Sequence, residues 1–273
     1  MNLHKSLKKQ KIKFAAFDLD GTLLDANGKL FVNTIQGLTA LRNQDIKMFI
    51  VTGRTIDSFL SLSLPIEFLE LFNENIICND GIILYNTKTK LVKSHSSISS
   101  DVFLKTIENL TNKNEIVIEI DGKHFSPEKA PALKYSMLFK INRGAITIKE
   151  QKINSTKNLT KIVMFPQQNE VKKIVDSLKN TECNVKELKF LHAIEITPKE
   201  TCKATGLLNF LSERHNINNL NSVIAFGDGI NDCTLLKKSK IGVAVNNSHP
   251  KAIENSNVQL NQSLGEYLVQ NLS

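Results

Sequence analysis

The sequence predicts an α/β protein: a parallel sheet with helices on its faces, interrupted by an inserted module of α+β character. Three observations carry this expectation. Short apolar runs alternate with helix-spaced stripes at both ends of the chain, and these runs stop at turns rich in Asp, Gly or Thr. Between about 84 and 196 the pattern changes to several short strands with fewer helices.

Phe14–Phe17 is apolar and stops at Asp18, which suits a strand buried on both faces. Val32, Ile35, Leu38 and Leu41 recur at three-residue steps, one face of a helix. Residues 46–51 read as a second strand, Ile56, Phe59 and Leu60 as a second helix, and 76–78 as a third strand of the same parallel sheet. In the middle, Ile116–Ile120 and 161–165 are β-prone, and Val171, Ile174, Val175 and Leu178 give a helix at i, i+3, i+4, i+7. The α/β rhythm returns with the helical stripe Ala204, Leu207, Leu208, Leu211 and the strands 223–226 and 241–245. The borders therefore fall at 1–83 and 197–273 for the α/β domain and 84–196 for the insert.

The chain has 273 residues, enough for one large domain or two modest ones. With 41% hydrophobic and 23% charged residues it has too much apolar material for a disordered chain. It lacks the run of about 20 apolar residues that a membrane span needs. Cys78, Cys183, Cys202 and Cys233 are dispersed without a C-x-x-C pair, and the six histidines are scattered, so neither a disulfide framework nor a zinc site is expected. Cys202 and Cys233 read as small apolar fillers. The basic stretch 1–13 has no apolar region of the secretory type, and a reducing, cytoplasmic home is the expectation. The formal charge of +8 is spread over lysines without interleaved aromatics, which speaks against a nucleic-acid groove and suits small anionic substrates.

Four clusters fall where apolar strands end or helices begin, the region in which open parallel sheets bind ligands. Asp18-Leu19-Asp20-Gly21-Thr22 sets two carboxylates two residues apart, a pairing that lets one attack and the other move a proton. Thr52-Gly53-Arg54 offers a hydroxyl and backbone N–H groups for an anion. Lys203 stands at the head of the 204–211 stripe. Gly227-Asp228-Gly229-Ile230-Asn231-Asp232 adds two carboxylates and an amide, hard oxygen donors that suit Mg²⁺. Each piece alone admits a structural reading: Asp and Gly favour turns, Thr caps helices, and a single lysine is usually solvated.

Together, in this order, the clusters resemble the haloacid dehalogenase-like phosphohydrolases. The position of the insert, Thr52-Gly53-Arg54, Asn79-Asp80-Gly81 and the Ile196-Thr197-Pro198-Lys199 approach to Lys203 are similar to the Cof-type branch with a C2B-type cap. The resemblance implies a Rossmann-like, doubly wound parallel-sheet core with an inserted α+β cap that covers the site and chooses the substrate. It implies that Asp18 is the nucleophile, that Asp20 is the general acid and base, and that Mg²⁺ is held by Asp18, the Asp20 main-chain carbonyl and Asp228. Thr52, Gly53, Arg54, Lys203 and Asn231 would bind phosphate or substrate, and Asp232 would support the metal site from behind. The substrate would be a small phosphorylated metabolite, with neither nucleic acid nor membrane as partner. Glu119, Asp121, His124, Lys134 and Arg143 of the insert are candidates to touch the leaving group. One departure stands out: Glu200-Thr201-Cys202-Lys203-Ala204 lacks the two glycines that commonly flank this lysine. Two other readings stay open from sequence, a phosphomutase of sugar phosphates and a non-catalytic binder of phosphometabolites or nucleic acid.

Overall fold

The computed structural model describes residues 3–113, 115–148, 158–189 and 192–272. The chain begins with α1 (Leu3–Lys9), β1 (Phe14–Phe17), α2 (Thr34–Arg42) and β2 (Lys47–Ile50), then two short helices, α3 (Ile56–Leu60) and α4 (Ile66–Leu69). Strands β3 (Asn75–Cys78), β4 (Ile83–Asn86) and β5 (Val92–Ser94) follow, then α5 (Ser100–Glu108), β6 (Ile116–Ile120), β7 (Lys123–Ser126) and α6 (Lys129–Leu138). Next come β8 (Ile146–Ile148), β9 (Leu159–Met164), α7 (Gln168–Leu178), β10 (Cys183–Leu188) and β11 (Ala193–Pro198). The final stretch holds α8 (Lys203–His215), β12 (Val223–Gly227), α9 (Cys233–Lys238), β13 (Ile241–Ala244), α10 (Pro250–Glu254), β14 (Val258–Gln259) and α11 (Leu264–Leu272). Among the described residues, no helix is long and apolar enough to cross a membrane.

The chain divides into two compact units. One comprises Met1–Gly53, Leu62–Leu91 and Cys202–Ser273, the other Arg54–Ser61 and Val92–Thr201. The borders drawn from sequence, after 83 and after 196, cut β4 and β11. In the structure β4 stays with the strand it pairs with, β3, and β11 stays with β9 and β10.

In the first unit five of the described strands form a parallel sheet in the order β14-β13-β12-β1-β2. Every residue of β1 and β12 is buried, which is why these strands read as unbroken apolar runs. Side chains alternate between the faces. Phe14, Ala16, Val223 and Ala225 pack in one core cluster with Ala204, Leu207, Phe210 and Leu211 of α8. On the other face the rings of Phe17 and Phe226, paired across the register, stack with centroids 4.8 Å apart. Chain order runs outward from β1 to β2 and then restarts at β12 on the other side. The β1/β12 junction is therefore the switch point, and the loops after both strands open side by side.

Two expectations need correction. Val32 does not belong to α2: Asn33 takes a left-handed conformation (φ 60°), so the helix starts at Thr34 and Val32 is 70% exposed. The strand expected at 76–78 is not a full member of the parallel sheet. It pairs antiparallel with β4 and meets the end of β2 through a single parallel bridge, Val51 to Ile77. The cause is the early end of β2, after which the chain turns at Thr52 and Gly53.

In the second unit, six of the described strands form a sheet in the order β10-β11-β9-β6-β7-β8, antiparallel apart from β7 with β8. Ile116, Ile118, Ile162 and Met164 bury against Val102 and Phe103 of α5 and Ile174 and Leu178 of α7. Val117 and Val163 bury against Ala132 and Tyr135 of α6. With both faces covered, β6 shows only partial alternation. The β6–β7 hairpin closes on Asp121 (φ 48°) and Gly122 (φ 74°), the two left-handed residues of a type I′ turn.

Candidate active site

The site grows from the ends of β1 and β12. Asp18 extends the β1 ladder by one bond, its N–H donating to Phe226 O (3.0 Å), and its side chain is buried. The chain then folds tightly, with Leu23 and Leu24 N–H both donating to Leu19 O. Gly21 sits at φ +81°, and a Cβ there would run into the Asp228 carboxylate. The Thr22 hydroxyl donates to Asp228 Oδ1 (3.1 Å), joining two loops 206 residues apart in sequence. Asp20, two positions beyond Asp18, is exposed.

Lys203 is the first residue of α8 and is fully buried. Its Nζ lies 2.5 Å from Asp18 Oδ1 and 2.7 Å from Asp232 Oδ1. The other oxygen of Asp232 accepts from Asp228 N (3.1 Å) and Gly229 N (2.9 Å), so both of its oxygens are committed to protein donors. Carboxylate oxygens of Asp18, Asp228 and Asp232 all lie within 4.8 Å of one another. Burial pushes the Asp18 carboxyl up; Lys203 opposes this and Asp232 adds to it. Burial likewise raises Asp228, with Asp232 reinforcing the shift. For Lys203 burial opposes the charge, but Asp18, Asp232 and Asp80 outweigh it and hold the ammonium protonated.

Three carboxylates against one ammonium leave surplus negative charge in a buried space. The donors are all hard oxygens, and the cradle depends on Gly21 having no side chain. This set fits a divalent cation of the Mg²⁺ type.

The missing glycines beside Lys203 have a local answer. Glu200 holds φ +61°, the left-handed conformation a glycine adopts without strain, and Ala204 is small and buried. The lysine still reaches Asp18 and Asp232. Close approach is supplied one turn along instead, where a Cβ on Gly206 would strike Gly81.

Thr52 is fully buried, and its backbone is held on both sides: its N–H donates to Ile77 O (2.8 Å) and its carbonyl accepts from Asp80 N (3.1 Å). An added Cβ on Gly53 would stand 3.0 Å from Asp80 Oδ1 and 3.2 Å from Asn231 Nδ2. Asn231 Nδ2 itself donates to Asp80 Oδ1 (2.9 Å). Thr52, Gly53 and Asn231 are thus gathered around Asp80. Arg54 differs: it groups with the second unit, where its guanidinium Nη1 donates to Ser58 O (3.2 Å) and Ser58 Oγ (3.0 Å).

Sequence reasoning gave no role to Asp80 or Thr22. The available signal for Asp80 was the Asn79-Asp80-Gly81 turn, three consecutive left-handed residues after β3. Of the insert candidates, Glu119 and His124 are buried and bonded to each other, Asp121 sits in the hairpin turn, and Lys134 pairs with Glu115 at 2.9 Å. The side chain of Arg143 lies outside the described residues.

Residues 15–263 match the family described as haloacid dehalogenase-like hydrolase, and the chain belongs to that family. It is 26% identical over 85% of its length to the 5-amino-6-(5-phospho-D-ribitylamino)uracil phosphatase YitU of Bacillus subtilis, covering 86% of that protein. It is 24% identical over 88% of its length to the HMP-PP phosphatase of Escherichia fergusonii, again covering 86%. Its fold matches the crystal structure of a Thermotoga maritima protein with a TM-score of 0.76 at 22% identity, covering 96% of this chain and 98% of that one. The fold is therefore the Rossmann-like α/β fold of this family, with an α+β insert.

Proposed function

We propose that the protein is a Mg²⁺-dependent phosphatase of small phosphorylated metabolites, acting through an aspartyl-phosphate on Asp18. The observation that carries this reading is the buried Lys203 ammonium between Asp18 and Asp232, with Asp228 beside them. A carboxylate and a phosphate dianion repel each other, so attack requires compensating positive charge at the point of contact. Lys203 brings one such charge. Held by Asp18, Asp228 and the Asp20 main-chain carbonyl, Mg²⁺ would add two more and draw the ionised form of Asp18 back into range.

In the first step an oxygen of Asp18 attacks phosphorus, and the ester oxygen leaves with a proton from Asp20. In the second, Asp20 takes a proton from water as that water attacks the acyl phosphate. Inorganic phosphate departs and Asp18 is restored. Thr52, the Gly53 N–H, Arg54, Asn231 and Lys203 hold the phosphoryl oxygens during the exchange. Asp232 fixes Lys203 and the Asp228 loop rather than meeting the substrate. The first unit supplies the catalysis and the second, inserted unit the choice of leaving group. The relatives named above act on chemically different phosphorylated metabolites, which accords with selection by a variable module.

The test is a phosphate-release screen over sugar phosphates, nucleotides and cofactor phosphates with Mg²⁺, using Asp18→Asn as control. Mg²⁺-dependent release by wild type and none by the variant is expected. Release that survives in Asp18→Asn removes the nucleophile from this reading.

A further inference from the structure

The second unit contains a buried charge cluster that the chemistry above does not use. His124 of β7 is fully buried, and both of its ring nitrogens meet carboxylates: Nδ1 lies 2.9 Å from Asp57 Oδ2 and Nε2 3.0 Å from Glu119 Oε2. A neutral imidazole has one N–H and one lone pair, so it can serve only one of these partners. The geometry calls for the imidazolium, which donates to both. Glu119 is ionised in this arrangement, because its Oε1 accepts from the Thr160 hydroxyl (2.7 Å) while Oε2 accepts from His124.

Asp57 is not part of the inserted segment. It belongs to α3, four residues past Gly53, and α3 groups with the second unit. Two further contacts fix α3 there. A Cβ on Gly122 would strike Ile56, so the hairpin turn and the helix are in close contact, and Ser61 Oγ donates to Lys140 O (3.3 Å). The same helix holds Arg54 through Ser58.

We infer that His124 is a positioning residue: as an imidazolium it clamps Asp57 against Glu119, fixes α3, and through Ser58 sets the direction of the Arg54 guanidinium. The use of Arg54 in substrate binding rests on the function proposed above; the clamp itself does not. The inserted segment thereby reaches Arg54 through the Asp57 side chain, the α3 backbone and Ser58.

The surroundings agree with a charged His124. Burial opposes protonation, but the hydrogen bonds to Asp57 and Glu119 raise its pKa to about 8. Burial pushes Glu119 up, and His124, Lys161 and Thr160 more than reverse this, holding it at about 2. On the elements packed around this cluster, the Tyr135 ring of α6 lies 5.0 Å from that of His124, and Lys161 of β9, which lowers Glu119, is itself paired with Glu195 of β11 at 3.4 Å. The two carboxylates that touch the ring, Asp57 and Glu119, make a field that favours the cation.

The experiment is an NMR titration of wild-type, Asp57→Asn and His124→Gln proteins, with steady-state kinetics on the phosphomonoester that wild type hydrolyses best. In wild type, the His124 ring should titrate near 8, and the resonances of Arg54 and Ser58 should move with it. Asp57→Asn should lower that midpoint and uncouple Arg54 from it. Its KM should rise about tenfold with kcat changed far less, the pattern for a weakened binding contact. His124→Gln should remove the titration from Arg54 and Ser58. A His124 midpoint at or below about 6.5, the ordinary value, overturns the clamp, as do Arg54 and Ser58 resonances indifferent to both substitutions. Loss of all phosphatase activity from wild type itself rejects the proposed function and leaves the resonances to decide the clamp.

Discussion

Lys203 compensates two carboxylates at once, and removing it has two separable consequences. Lys203→Met leaves Asp18 and Asp232 buried without a counter-charge, a loss of about 3–5 kcal/mol that urea denaturation at neutral pH would read. The same variant should release no phosphate. Asp20 makes a different prediction: Asp20→Asn should slow esters of poor leaving groups far more than activated aryl esters, measured as kcat/KM across a leaving-group series. Equal losses along the series would remove the proton-transfer role. Asp18, Lys203 and Asp228 could be singled out as candidates from sequence because each closes or opens an element of plain pattern and the order of their motifs resembles a known family. Thr22 and Asp80 were not. Their significance arises from partners 206 and 151 residues away, Asp228 and Asn231, and local pattern carries no such information.

The centre of the parallel sheet rests on paired aromatic rings. Phe226→Ala should cost about 3–5 kcal/mol, because the stacked Phe17 face and the rest of that core cannot close the void. In the second unit, stability should depend on pH through the His124 clamp. His124 is raised to about 8 in the folded chain, against about 6.5 unfolded, so its contribution is complete below 6.5 and is lost as pH rises through 8. The melting temperature should fall over that window in wild type and fall less in Asp57→Asn. The main strands and helices were legible because buried parallel strands are continuous apolar runs and α7 has a clean helical stripe. The placement of β3 was not, because it depends on β2 ending at Ile50 rather than on β3's own residues. Nor was the attachment of α3 to the second unit, which is fixed by Gly122, His124 and Lys140, far along the chain.

As a whole the molecule joins a parallel α/β unit, which gathers an acid-rich, lysine-anchored centre at its switch point, to a mixed sheet inserted in the chain. The order of the four motifs made the family legible in the sequence. Substrate identity was not legible, since the insert carries no motif of its own and its charged residues Glu119 and His124 are engaged internally. Phosphate release should stop in excess chelator and return with Mg²⁺; activity undiminished by chelator would exclude the cation from the site. The most direct test of the account looks for the covalent intermediate. Enzyme quenched in acid during turnover, then digested and analysed by mass spectrometry, should carry a phosphoryl group on the peptide containing Asp18, and Asp18→Asn should carry none. Steady turnover with that peptide unmodified, or phosphorylation at another residue, would contradict it.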